Sequence, residues 1–142
     1  MNAYKKKKYD EAFPLLYQLA RWGEKDCQWT LGLMYYEGKG VSENVLEAYA
    51  WMKTAAESGI RDWEDTVERL HKSLPDQHKD YVDQYADEYI RLYGMEATGV
   101  RCEDEGGGGR SGVRSRRIEC HRPISINQSM VHLTPPVKIP TD

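Results

Sequence analysis

The chain has 142 residues, 39% apolar and 30% charged, which suits one domain with a modest core. A net charge of −3 excludes any global pull toward nucleic acid or an anionic membrane. No apolar run approaches the roughly 20 residues that span a bilayer, and polar and basic residues after Met1 replace the apolar stretch of a secretory leader.

Helical spacing accounts for most of the first two thirds. It predicts a helix over residues 6–22, with Ala12, Leu15, Leu16 and Leu19 on one face and Gly23 at its end. Pro14 should kink this helix or mark a late start. A second helix, over 24–37, carries two apolar arcs: Cys27, Leu31, Met34 and Tyr35 on one side, Trp29, Leu33 and Tyr36 nearly opposite. Such a helix is sandwiched between neighbours, and Gly32 lets one neighbouring backbone come close. Gly38 and Gly40 then permit the positive φ of a reversing turn. The third helix starts at a capping box of Asn44 and Glu47, buries Ala48, Trp51, Met52 and Ala55, and closes at Gly59. Trp29, Tyr35 and Trp51 are read as core aromatics.

A fourth helix, over 60–73, keeps Trp63, Val67 and Leu70 at helical spacing but has Glu68 in place of a close-packing glycine. Pro75 can open a last helix whose buried stripe is Val82, Tyr85, Ala86, Tyr89 and Ile90. The rest of that helix is heavily charged, as a terminal cap requires. A shift of 36 residues places Glu11, Ala12, Ala20, Gly23, Asp26 and Thr30 on Glu47, Ala48, Ala56, Gly59, Asp62 and Thr66. A period of this size marks a helical array.

Over residues 24–59 the chain resembles one unit of the Sel-one-like repeat family, relatives of the tetratricopeptide solenoids. The residues that carry the likeness are Leu31-Gly32, Tyr35-Tyr36, Gly38-Lys39-Gly40-Val41, Ala48, Trp51, Ala55-Ala56 and Gly59. The likeness is fair over 8–23, weaker over 60–94, and absent from 95 on. Cys27 stands where the family usually has alanine, which fits a small buried thiol. The resemblance implies an all-α fold: a short right-handed α-α solenoid of about five helices, of bacterial type, acting as an adaptor. The expected organisation is a helical-repeat domain over 1–94 with terminal capping helices, then a Gly/Arg/Pro-rich tail over 95–142. The first helix lacks a preceding partner. Either the chain starts mid-repeat, or an upstream piece, with or without a signal peptide, is missing; an uncapped first helix also raises the prospect of a homo-oligomer.

The tail holds four glycines at 106–109, six arginines between Arg101 and Arg122, and a proline-rich end. A flexible or loosely ordered extension is expected. Short β-like runs, Val113–Cys120 and Ser129–Thr134, leave room for a hairpin. Cys102 and Cys120 either form a disulfide, which would argue for a periplasmic or secreted protein, or are free thiols. Read as it stands, the chain is cytoplasmic.

No constellation for chemistry emerges. Cys102, Cys120, His121 and His132 lack the short paired intervals of structural zinc. Cys27 lies on a core face without an activating base. Gly38-Lys39-Gly40 lacks the spacing and preceding strand of a phosphate loop. The expectation is therefore no catalytic residue, no metal, no cofactor and no enzyme activity. A polar strip between the arcs of the second helix, Asp26, Thr30 and Glu37 with Leu33 at its margin, repeats one period on as Asp62, Thr66 and Arg69. In a helical array such a strip lines the inner, concave surface, where a peptide or protein partner would lie. The function expected is an adaptor or scaffold. The alternatives are an accessory domain of an enzyme system, or nucleic-acid binding by the arginine tail, which the lack of aromatics there and Glu103, Asp104 and Glu105 oppose.

Overall fold

A computed structural model describes residues 3–105 and 117–122, with side chains from Lys7. The glycine run, Arg110, Arg114, Arg116, the run Ser129–Thr134, His132 and the proline-rich end lie outside the described residues. The element order is α1 (Ala3–Arg21), α2 (Lys25–Glu37), α3 (Val45–Ala56), α4 (Arg61–Ser73), α5 (Asp76–Tyr93), α6 (Met95–Thr98), β1 (Arg101–Asp104) and β2 (Ile118–His121). The architecture is an all-α short solenoid with a small antiparallel hairpin at its C-terminal side.

α1 starts at Ala3 and runs through Pro14, which is exposed, so the proline does not delay the helix. α2 ends at Gly38, whose φ of 69° is the left-handed conformation glycine adopts without a Cβ penalty. Asn44 then caps α3 by accepting from the Glu47 amide at 3.1 Å. The expected capping box forms only by half, because the Glu47 carboxylate turns into the core instead of back to the cap. Between α2 and α3 the backbones meet at Gly32. A Cβ there would collide with Met52 and stand 3.1 Å from the Ala48 carbonyl.

Trp51 is fully buried and organises the core. Its ring stacks on Tyr93 at 5.2 Å and takes Tyr89 and Tyr17 edge-on at 5.0 and 5.9 Å. α1, α3 and α5 therefore converge on one indole. Such aromatic pairs contribute about 0.5–1.5 kcal/mol each beyond area burial. The stripe expected on α5 is the one that packs: Val82, Ala86 and Tyr89 are buried, Tyr85 and Ile90 partly so. α5 nevertheless lies mainly on α3 and the end of α1, not on α4, its neighbour in sequence. α4 packs mainly on α3, touches α2 through Trp63 and α5 through His71, and buries only Val67.

Two polar side chains from the first turn of α2 tie the helix ends together. Lys25 Nζ donates to the Thr54 carbonyl (2.9 Å), Gln28 Oε1 (3.1 Å) and Glu57 Oε1 (3.4 Å). Gln28 Nε2 donates to the carbonyls of Ala20 and Tyr93, both at 2.9 Å. Ala20, Thr54 and Tyr93 stand in the last turns of α1, α3 and α5, where carbonyls outrun their own helix ladder. Three helix C-termini, each the negative end of its dipole, thus share one ammonium and one amide. Burial lowers the Lys25 pKa, and the Glu57 carboxylate works against that.

Residues 95–105 and 117–122, assigned by the sequence to the tail, form α6 and the hairpin. In its register Cys102 faces Cys120, and the two are disulfide-bonded. The hairpin is docked: Val100 is buried, Thr98 and Val100 close over Gly23, and Arg122 pairs with Glu24 and covers the Trp22 ring.

Candidate functional site

The strip expected to meet a partner falls on α2 and α4. Asp26, Thr30 and Glu37 are exposed on α2, and Leu33 is half-buried beside them. On α4, Asp62 and Arg69 are exposed and Thr66 is half-buried. The two halves have the same local chemistry. Thr30 donates to the Asp26 carbonyl at 2.8 Å, and Thr66 donates to the Asp62 carbonyl at 2.8 Å. Each threonine hydroxyl is thereby held against the backbone of its own helix. Arg69 reaches the Thr66 hydroxyl at 3.3 Å, which places its guanidinium on the strip. A depression of about 430 Å³ runs along Asp62, Asp65, Thr66, Glu68, Arg69 and Lys72.

What joins the halves is an aromatic pair. The rings of Trp29 on α2 and Trp63 on α4 stack at 4.9 Å and 8°. Both are half-buried; Trp29 packs against the core, as expected, and also stacks on Trp63. Tyr35 and Trp51 are fully buried, so they contribute to stability and not to recognition. The physical reason for the difference lies in α4. With a single buried side chain it does not close over α2, so the indoles cover one another instead. The spacing itself held the signal, since Trp29 and Trp63 stand two residues short of a 36-residue period.

Other groups considered for chemistry have structural roles. Burial pushes the Cys27 thiol up, with Glu24 and Asp26 adding to the shift, so the thiolate is disfavoured. Cys102 and Cys120 are bonded to one another and offer no thiolate to a metal. On the hairpin, Glu105, Glu119 and His121 bring ligand atoms within 4.8 Å of each other, but Glu119 is also paired with Arg117 at 3.0 Å.

Sequence reasoning missed the buried polar groups. Lys25 and Gln28 are 3% and 0% exposed, and Glu47 is 2% exposed. Tyr89 donates to both Glu47 oxygens, at 2.6 and 2.8 Å, and Tyr85 donates to Oε1. Burial raises the pKa of both tyrosines, and the adjacent carboxylate raises it further. A signal did exist. Lys25, Gln28, Gly32 and Tyr35 recur at helical spacing, which puts the two polar residues on the close-packing face.

No family model and no curated protein matches the chain. Among solved structures, it is similar to a protective antigen present in uropathogenic Escherichia coli strains, a protein displaying an SLR fold. The two are 25% identical, with a TM-score of 0.57, over 64% of this chain and 20% of the other. The chain thus spans about a fifth of that protein's length. Helix order, the two-helix unit of α2 and α3, and this likeness together make the chain a short helical-repeat protein of solenoid type.

Proposed function

We propose that the chain is a non-enzymatic interaction module that receives a peptide or protein loop across the α2–α4 face. The observation that carries this reading is the duplicated strip. Asp26/Thr30 and Asp62/Thr66 stand one period apart with the same hydrogen bonding, on helices joined by the Trp29–Trp63 stack. Repeat arrays build extended recognition surfaces by such repetition. Asp62 and Arg69 line one depression on α4, and Asp26 and Glu37, the latter paired with Lys39, add carboxylates on α2; this suits a polar segment of mixed charge, with the paired indoles as a flat anchor. The raised Cys27 pKa and the bonded Cys102–Cys120 pair favour adaptor over enzyme.

The test is affinity capture from the native source with the wild-type chain and an Asp26→Lys, Thr30→Ala, Arg69→Glu variant, with circular dichroism as the fold control. Loss of a specific partner by the variant, at unchanged helicity, supports the strip. Equal capture by both chains rejects it.

A further inference from the structure

α1 buries Phe13, Tyr17 and Ala20 in the core, and Tyr9 and Leu16 pack beside them. A second apolar stripe, Ala12, Leu15, Leu19 and Trp22, recurs at intervals of three, four and three residues, roughly a third of a turn round the helix. Leu15 is 61% exposed, and Ala12, Leu19 and Trp22 are half-buried. One period of 36 residues on, the same positions are Ala48, Trp51, Ala55 and Ser58, none more than 4% exposed. There Tyr89 and Tyr93 of α5 close on Trp51. Leu15 has no such cover among the described residues.

The chain leaves the described residues at the edge of this stripe. Arg122 lies over the Trp22 ring, 5.3 Å from its centroid, and pairs with Glu24. The Cys102–Cys120 bond, two residues earlier, fixes that point. Beyond it, residues 123–137 hold no Asp, Glu, Lys or Arg, the longest such run in a chain that is 30% charged. The next longest, 27–36, belongs to α2, which packs on both α1 and α3.

We propose that the stripe on α1 is the docking site of the chain's own segment 124–133, which sets Ile124, Ile126, Met130, Val131 and Leu133 against Ala12, Leu15 and Leu19. Length allows it. From Trp22 to Ala12 is about 15 Å of helix axis, and an extended chain advances about 3.3 Å per residue, so roughly five residues reach the far end. Lack of charge means that covering the stripe strips water from no ionised group of the segment. Size decides against a second copy. Four side chains, three of them already half-buried, fall well short of the ~800 Å² per partner that a stable interface between two chains takes. A segment tethered at Arg122 needs far less, because its effective concentration is in the millimolar range. The surface is distinct from the α2–α4 face offered to a partner.

The experiment uses the full, oxidised chain with carbon-13 methyl labels on isoleucine and leucine. Expected are nuclear Overhauser contacts between the methyls of Leu15 and Leu19 and those of Ile124, Ile126 or Leu133. A full-length Ile124→Asp, Ile126→Asp variant should lose them and exchange its amides over 12–22 about tenfold faster, at unchanged helicity by circular dichroism. Leu15→Asp, at an exposed position that spares the core, should do the same. The strip variant (Asp26→Lys, Thr30→Ala, Arg69→Glu) should keep the contacts, so failure of the α2–α4 face leaves this surface standing. Absence of the contacts in the wild type, or exchange over 12–22 indifferent to the isoleucine substitutions, would overturn the proposal. So would concentration-dependent dimerisation in sedimentation that Leu15→Asp abolishes, since the occupant would then be a second copy.

Discussion

Substituting Gln28→Leu tests whether the fold depends on the polar knot among the helix ends. Leucine matches glutamine in size, so the change removes the amide with little change in volume. Two carbonyls lose their donor. That of Ala20 keeps a bond from the Gly23 amide at 3.1 Å, so its loss is partial, on the order of 1 kcal/mol. That of Tyr93 takes its bond from Gln28 in a fully buried setting and costs about 1–3 kcal/mol when left bare. Lys25 also loses one of its three acceptors but retains the Thr54 carbonyl and Glu57. Burying an apolar side chain in place of the amide returns part of this, so the net destabilisation is about 2 kcal/mol. That is a large part of a total stability of about 5–15 kcal/mol. Urea unfolding followed by circular dichroism should show a lower midpoint at constant slope, and a melting temperature lower by roughly 8–16 °C. A change below about 0.5 kcal/mol would mean that water reaches these carbonyls, and the knot would then be incidental.

Alkaline pH should unfold the chain through its tyrosines. Tyr17 is pushed up to about 12, chiefly by burial, and burial likewise raises Tyr49, Tyr85, Tyr89 and Tyr93. Folded pKa values above the unfolded value of about 10 give stability that is whole below pH ~10 and lost as pH rises through the folded values. Tyrosinate absorbance and helicity measured together should change in one step above pH ~10; ionisation of all tyrosines with helicity intact would contradict it. At the hairpin, Cys102→Ser with Cys120→Ser opens a loop of 18 residues' separation, worth about 3 kcal/mol in chain entropy. The loss should be local. Amide exchange over 100–105 and 118–121 should accelerate while urea unfolding of the helices stays within about 0.5 kcal/mol, and an equal loss in both would show that the hairpin folds as one unit with the solenoid.

The parts that were legible from sequence are those where apolar spacing alone decides. The stripe from Val82 to Ile90 needs only a helix and an apolar surface to meet, and Trp51 with Ala48 and Met52 needs no more. Which surface a stripe meets is another matter. α5 was expected to turn its stripe inward as a terminal cap, without a named surface to meet; Tyr89 and Tyr93 find the Trp51 indole on α3, and the charged flank of α4 gives them nothing comparable. Buried charge was illegible for a different reason. Lys25 and Glu47 each stand in the first turn of a helix, where a charged side chain is normally solvated. Only the three-dimensional meeting of helix ends with Lys25, and of two tyrosine hydroxyls with Glu47, makes burial tolerable. The repetition of Asp26 and Thr30 as Asp62 and Thr66 was readable; the spacing of Trp29 and Trp63 hinted at a pair but not at a stack, since the sequence places both on apolar arcs without saying that α4 stands off.

The same displacement of α5 explains both faces of the molecule. In an array of helical pairs the last helix hands its apolar stripe back to its own partner, and the surface ends there. Here the tyrosine-rich stripe turns inward to the aromatic centre, with Glu47 accepting from Tyr85 and Tyr89 to hold it. α4 is left as a single layer on α3, retained by Val67, by the Trp63 stack and by the His71–Asp83 contact. A helix so placed has one side along the α2 strip and the other toward α5, where Val67, Glu68 and His71 stand across a cleft from Asp83 and Ile90. Loosening it should therefore alter both surfaces together. Asp83→Asn tests this coupling: it keeps a hydrogen-bonding partner for Tyr49 while removing the charge that faces His71 and Lys53, which lie at 3.1 and 3.7 Å. The pKa of Asp83 is lowered: its hydrogen bonds to His71 and Tyr49, with the nearby Lys53 ammonium, prevail over burial, which is the largest single effect and acts upward. A carboxylate depressed in the fold adds stability above its unfolded pKa, near 4, which fades as pH falls through the folded value. Wild type and Asp83→Asn should thus converge in stability in acid and separate at neutral pH, with faster amide exchange along the whole of α4 in the variant. Exchange unchanged in α4 at neutral pH would show that the latch holds nothing, and the two faces would then be independent.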